Sequence, residues 1–173
     1  MTKGLIIVLN GVSSSGKSSL AKELVKELTD FYHLSIDDFD SVIDKMEDRA
    51  GERLIPVPTE YFFHRTIQMF SDKGINLVVD QILHDSETIF DFEEALRGYP
   101  VVFVGVHCSL RELEKREQSR GDRRSGLAKS QLEFVHQQKE NYTLEVDTSV
   151  DTLSACVEQI LNVIKSRRLS STQ

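Results

Sequence analysis

Short apolar runs alternate with amphipathic stretches from one end of the chain to the other. Residues 5–9 are short, β-branched and halted by Asn10-Gly11, which reads as a buried strand. Over 18–28 the apolar positions are Leu20, Ala21, Leu24, Val25 and Leu28, with Lys and Glu between them, the spacing of a helix packed on one face. Residues 32–37 predict a second strand, polar for the middle of a sheet. A short helix is expected over 37–46 and a loop over 48–58, where charges, Gly51, Pro56 and Pro58 collect. A helix over 59–73 stops at Gly74. The alternation continues with a strand over 76–83, a helix over 86–97 closed by Gly98, and the most apolar strand over 101–108. Ser109 and Glu112 have the spacing of a capping box for the next helix. After a break at 121–126 the helical pattern resumes over 127–142. A short strand over 144–148, a last helix over 151–168 and a polar tail complete the chain. Such alternation predicts an α/β fold, a parallel sheet with helices on both faces.

A length of 173 residues suits one domain, 1–173, with a full-sized core. The net charge of −7 argues against broad nucleic-acid binding, which needs clustered positive charge. No apolar run approaches the length of a membrane span, and 5–9 is too short for a signal sequence, so a cytoplasmic protein is expected. Cys108 and Cys156 have no metal-ligand spacing, and two free buried thiols are the expected state.

Gly11-Val12-Ser13-Ser14-Ser15-Gly16-Lys17-Ser18 matches G-x-x-x-x-G-K-[ST] in full, between an apolar strand and an amphipathic helix. The glycines permit a tight turn whose N–H groups point at phosphate oxygens, and the helix N-terminus adds its positive dipole end. Lys17 is expected to reach the β and γ phosphates, and the Ser18 hydroxyl to ligate Mg²⁺. Ser13, Ser14, Ser15 and Ser19 complete the predicted nucleotide site, with no separate role assigned to each. ATP is favoured over GTP because no N-K-x-D motif exists, and the D-x-x-G match at Asp48 to Gly51 lies in a loop.

Ligands of open α/β sheets sit at the carboxyl ends of the strands, where Asp37, Asp80 and Asp147 fall. Transfer to an alcohol needs a carboxylate beside the attacking hydroxyl. Asp37 is the expected base, with Asp38 and Asp40 as rivals and a helix N-cap as the plainer reading. Asp80 ends an apolar strand, as a metal-holding carboxylate would, or is a buried structural acid bonded to the loop. Arg116, Arg120, Arg123 and Arg124 cluster beside Gly121 and Gly126. They read as a lid over about 116–130 that neutralises the transferred phosphoryl group and excludes water, or as a solvated basic turn.

Several further segments resemble the chloramphenicol phosphotransferase family of P-loop kinases. They are Leu9-Asn10-Gly11 before the loop, Val104-Gly105-Val106-His107-Cys108, and Arg120-Gly121-Asp122-Arg123 with Gly126, Ala128 and Gln131. Val135-His136, Tyr142 and Glu145-Val146-Asp147-Thr148 follow in order. The resemblance implies a five-stranded parallel sheet in a three-layer P-loop sandwich and transfer of the ATP γ-phosphate to a primary hydroxyl. It puts the base on Asp37, with Asp38 one residue away, and the arginine lid on Arg120, Arg123 and Arg116. The pattern departs from the family over 42–73, within the expected acceptor segment of about 38–73. There Phe63 and Phe70 are expected to pack, while Tyr61, Phe62 and His64 are candidates to face the acceptor, as is His136. The expected reaction is phosphorylation of a small-molecule hydroxyl, with antibiotic resistance as the implied role. A kinase for a nucleotide or other metabolite, or a nucleotide-binding switch, is the alternative.

Overall fold

A computed structural model describes residues 2–47, 54–120 and 126–170, without the side chains of 120 and 168–170. Its elements are β1 (Ile6–Asn10), α1 (Lys17–Glu27), β2 (Phe31–Ser35), α2 (Ile36–Glu47), α3 (Thr59–Asp72) and β3 (Asn76–Gln81). They continue with α4 (Ser86–Ala95), β4 (Val101–His107), α5 (Leu110–Arg120), α6 (Leu127–Gln131), β5 (Leu144–Asp147) and α7 (Leu153–Ser170). The five strands form one parallel sheet in the order β2-β3-β1-β4-β5. β1 thus lies at its centre, buried at every position.

Alternate residues of the inner strands feed two cores. Ile7, Leu9, Val78 and Val104 pack against Leu20 and Leu24 of α1 and Cys156 and Ile160 of α7. Ile6, Val8, Leu77 and Val79 face Phe63 and Ile67 of α3 and Phe92 of α4. These are the three layers expected of the fold. Cys108 and Cys156 are free and buried. Among the described residues no helix is long and apolar enough to cross a membrane.

Three local expectations change. β2 stops at Ser35, and Asp37 lies in the first turn of α2 rather than at a strand end. Two exposed carboxylates, Asp37 and Asp38, suit the positive end of a helix, and β2 is polar because it is an edge strand. The helix expected over 127–142 ends at Gln131. His136 and Lys139 adopt left-handed φ of 70° and 56°, and the Glu140 carboxylate accepts the amides of His136 and Gln138, which replaces helical bonding by a turn. The Ser109–Glu112 capping box does not form. The Ser109 amide donates to the Ser149 hydroxyl, and Glu112 accepts from Arg116 instead. The D-x-x-G match at Asp48 to Gly51 lies outside the described residues.

A polar strut below the phosphate loop crosses the sheet end. The Asn10 amide donates to the Tyr142 hydroxyl at 2.8 Å, and that hydroxyl lies 2.8 Å from His136 Nδ1. Asn10 Oδ1 accepts the Leu83 amide at 3.0 Å. Because Asn10 supplies a hydrogen to the tyrosine oxygen, the hydroxyl donates its own to a neutral His136. The Tyr142 ring lies against Gly105, where a β-carbon would sit 2.9 Å from it. Burial, reinforced by the stacked His107 ring 4.0 Å away, lowers the His136 pKa from 6.5 to about 4.

Phe63 is fully buried between sheet and helices. Phe63→Ala should cost about 3–5 kcal/mol in urea unfolding. Between pH 6.5 and about 4 the unfolded chain binds a proton at His136 that the folded chain refuses, so stability should fall as the pH drops across that window. Thermal melts should show His136→Asn, which tolerates the left-handed backbone, with a shallower fall than the parent.

Candidate active site

The turn after β1 is built for close approach. A β-carbon at Gly11 would lie 2.4 Å from the Val106 carbonyl oxygen, so no larger residue fits there. Gly16 has a φ of 99° and Ser14 a φ of 62°, left-handed conformations that turn the chain into α1. The hydroxyls of Ser14 and Ser15 are buried with no hydrogen-bond partner. Ser19 is exposed at the rim, and the buried Lys17 ammonium donates to the Val12 carbonyl at 2.8 Å.

The loop is clamped from behind. Arg116 donates to the carbonyls of Ser14 and Ser15 at 3.3 and 3.4 Å and to that of Thr148 at 2.9 Å. The Thr148 hydroxyl donates to Ser15 O at 2.7 Å, and the Ser13 amide donates to Gln131 Oε1 at 2.7 Å. Gln131 and Thr148 appear in the segments that carry the family resemblance, but their spacing alone assigns them no task. Arg116, a lid candidate from sequence, is here engaged with the loop backbone and Glu112. Arg123 lies outside the described residues, as does the Arg120 side chain.

Lys17, Ser18, Asp37, Asp80 and Gln81 line one narrow cleft in front of the loop. The register places Asp80 beside Leu9 and Gln81 beside Asn10, which brings the end of β3 against the turn. Asp38 is exposed and does not line this cleft. Asp147 is held by the Ser149 amide and hydroxyl at 2.8 and 2.6 Å, the arrangement of a turn cap.

Asp80 is almost fully buried, and neither carboxylate oxygen has a well-formed hydrogen bond. His33 Nε2 lies 3.4 Å from Oδ1. Burial alone would raise the carboxyl's pKa, but the neighbouring His33, Ser18 and Ser35 outweigh it and hold it below its ordinary value. An ionised carboxylate with open lone pairs beside the Ser18 hydroxyl fits a hard divalent cation such as Mg²⁺.

Two grooves lead away from the cleft. One, of about 540 Å³, runs past Ser14, Gly16 and Ser19 to Arg116, Thr148 and Leu153. The other continues from Asp37 along Asp40, Glu60, His84 and Gln131. In the segment that departs from the family pattern, Phe63 is core, Tyr61 and Phe62 line an outer apolar groove, and His64 is wholly buried. His136 belongs to the strut and touches neither groove.

A Mycobacterium tuberculosis protein of strain H37Rv, provisionally described as an O-phosphotransferase, is 29% identical over 176 residues, covering 86% of this chain and 77% of its own. A gluconokinase from Sinorhizobium meliloti superposes with a TM-score of 0.69 at 22% identity, covering 99% of this chain and 98% of the other. The Mycobacterium tuberculosis APS kinase, solved with AMPPNP and APS, gives a TM-score of 0.70 at 17% identity, covering 95% and 99%. At these identities the two solved structures establish a shared fold. The model of the chloramphenicol phosphotransferase-like proteins matches residues 4–165, nearly the whole chain. With the phosphate loop, its clamp and the carboxylates in front of it, the chain therefore belongs to the chloramphenicol phosphotransferase-like family, phosphotransferases of the P-loop kinase type.

Proposed function

We propose that the chain transfers the γ-phosphoryl group of ATP to a hydroxyl of a small molecule. The observation that carries this reading is the single cleft shared by Lys17, Ser18, Asp37 and Asp80. A turn suited to phosphate and an exposed carboxylate that line the same cleft support it. The 540 Å³ groove beyond Ser14 and Gly16 has the size for a nucleoside, and the groove beyond Asp37 is then left for the acceptor.

Asp37 accepts the proton as the acceptor hydroxyl oxygen bonds to the γ-phosphorus and the bond from that phosphorus to the β–γ bridging oxygen breaks. ADP leaves with the electron pair of that bond. Lys17 and the loop amides stabilise charge on the phosphoryl oxygens, where fixed donors need no reorganisation. Ser18 and Asp80 are the residues that would hold Mg²⁺, which when bound neutralises phosphate charge. Arg120 and Arg123 are assigned to a closing lid on the family resemblance, and a cytoplasmic setting supplies ATP and keeps both thiols reduced.

Chloramphenicol is the first acceptor to test, because the family bears its name. With γ-labelled ATP and Mg²⁺, label should pass to chloramphenicol or to another alcohol in a panel of antibiotics, nucleosides and sugars. Lys17→Ala should abolish transfer. Asp37→Asn should lower its rate by roughly two to four orders of magnitude, while Asp38→Asn stays within about threefold of the parent. The reverse order for the two aspartates would move the base to Asp38. ATP hydrolysis that no acceptor accelerates would replace the transferase by a switch.

A further inference from the structure

The groove that continues from Asp37 opens into a second hollow farther out. The two, of about 210 and 130 Å³, share Glu60 and His84 and so form one channel. At its inner end the channel shares Ile36, Asp37 and Ile82 with the phosphate cleft. Gln81 lines that cleft and is only 1% exposed. One end of its amide is bonded to His64 and the other has no partner, an arrangement that is costly unless a ligand completes it.

Six carboxylates line the channel, those of Asp37, Asp40, Glu60, Asp85, Glu87 and Asp91. Among the described residues no lysine or arginine lines it. Arg65, stacked on the Tyr61 ring, pairs with Asp91 at 2.6 Å. Within ion-pair distance of Glu60, Asp85 and Glu87 the described residues supply only His84, 3.8 Å from Glu60 and 3.2 Å from Asp85. The lining is therefore strongly negative even when His84 is charged.

These carboxylates are fixed in place. Asp85 caps α4 by accepting the Thr88 amide at 2.8 Å, and Asp40 accepts the Thr59 hydroxyl at 2.7 Å. They are also spread along the walls. Among the described residues no three acidic, histidine or cysteine side chains converge as a metal site requires. Separated, fixed carboxylates suit an organic cation that extends along the channel.

We infer that the acceptor is a basic amino alcohol, with its hydroxyl at Asp37 and its ammonium group farther out, among Glu60, Asp85 and Glu87. This rests on the proposed transferase reading, and it makes Glu60 a specificity-determining residue.

The test is a transfer assay with γ-labelled ATP near neutral pH, on alcohols paired so that only charge differs. Chloramphenicol is paired with its deacylated free amine, and N-acetylglucosamine with glucosamine. Kanamycin is paired with its N-acetylated form. The preferred acceptor should be an amine, with kcat/KM roughly ten- to hundredfold above that of its neutral partner. Added salt should narrow that ratio. Glu60→Gln keeps the shape and removes the charge. It should raise KM for the amine roughly tenfold and leave KM for ATP within about twofold. Glu87→Gln should shift KM in the same direction, and melting temperatures confirm that each variant is folded. Label passing as well or better to the neutral members would overturn the inference and leave the transferase intact. So would an amine preference that both variants keep in full. Label on no member of the panel would remove the transferase reading and the inference together.

Discussion

A loop that turns its N–H groups inward to hold phosphate turns its carbonyls outward, and those oxygens need donors of their own. Arg116 and Thr148 meet this constraint by bonding the carbonyls of Ser14 and Ser15. Much of the right-hand half of the sheet serves the same end. β4 lies beside β1, β5 lies beside β4, and Thr148 follows directly at the end of β5. α5 brings Arg116 to the same point, with Glu112 one turn earlier to orient its guanidinium. The left-hand half brings the end of β3 and the first turn of α2 to the front of the loop, where their carboxylates line one cleft.

This division explains where apolar and polar residues fall. The sheet interior and helices α1, α3 and α7 hold close-packed aliphatic and aromatic side chains that fix strand positions. Buried polar side chains gather at the carboxyl end, at Asn10, Asp80, Gln81 and His64. Most are bonded across elements rather than within them, as in Asn10 with Tyr142 and His64 with Asp91. Each such bond loses its partner if either element shifts, so the polar layer specifies register in a way that apolar contacts alone do not.

The phosphate loop was legible in the sequence because its task is local. Eight consecutive residues set the turn, and the flanking strand and helix confirm the context. Most strands were legible from short apolar runs, and β2 was read as a strand despite its polar residues, but its edge position was not, since strand order is set by contacts between distant segments. The clamp could not be read, because Arg116 and Gln131 act on residues 102 and 118 positions away. The turn after Gln131 hid for a different reason. Ala128 and Val135 keep helical spacing while Glu140 draws the backbone amides away from it. His64 read as a candidate to face the acceptor because nothing in its neighbours announces Gln81 and Asp91 as partners.

The ammonium of Lys17 donates to the carbonyl of Val12, inside the turn that leads into α1. A buried cation is costly when bare, and the turn carries an acceptor for its own lysine. The side chain is thereby tied to the backbone that sets Gly16 and Ser18, so any substitution that reshapes the turn moves the ammonium with it.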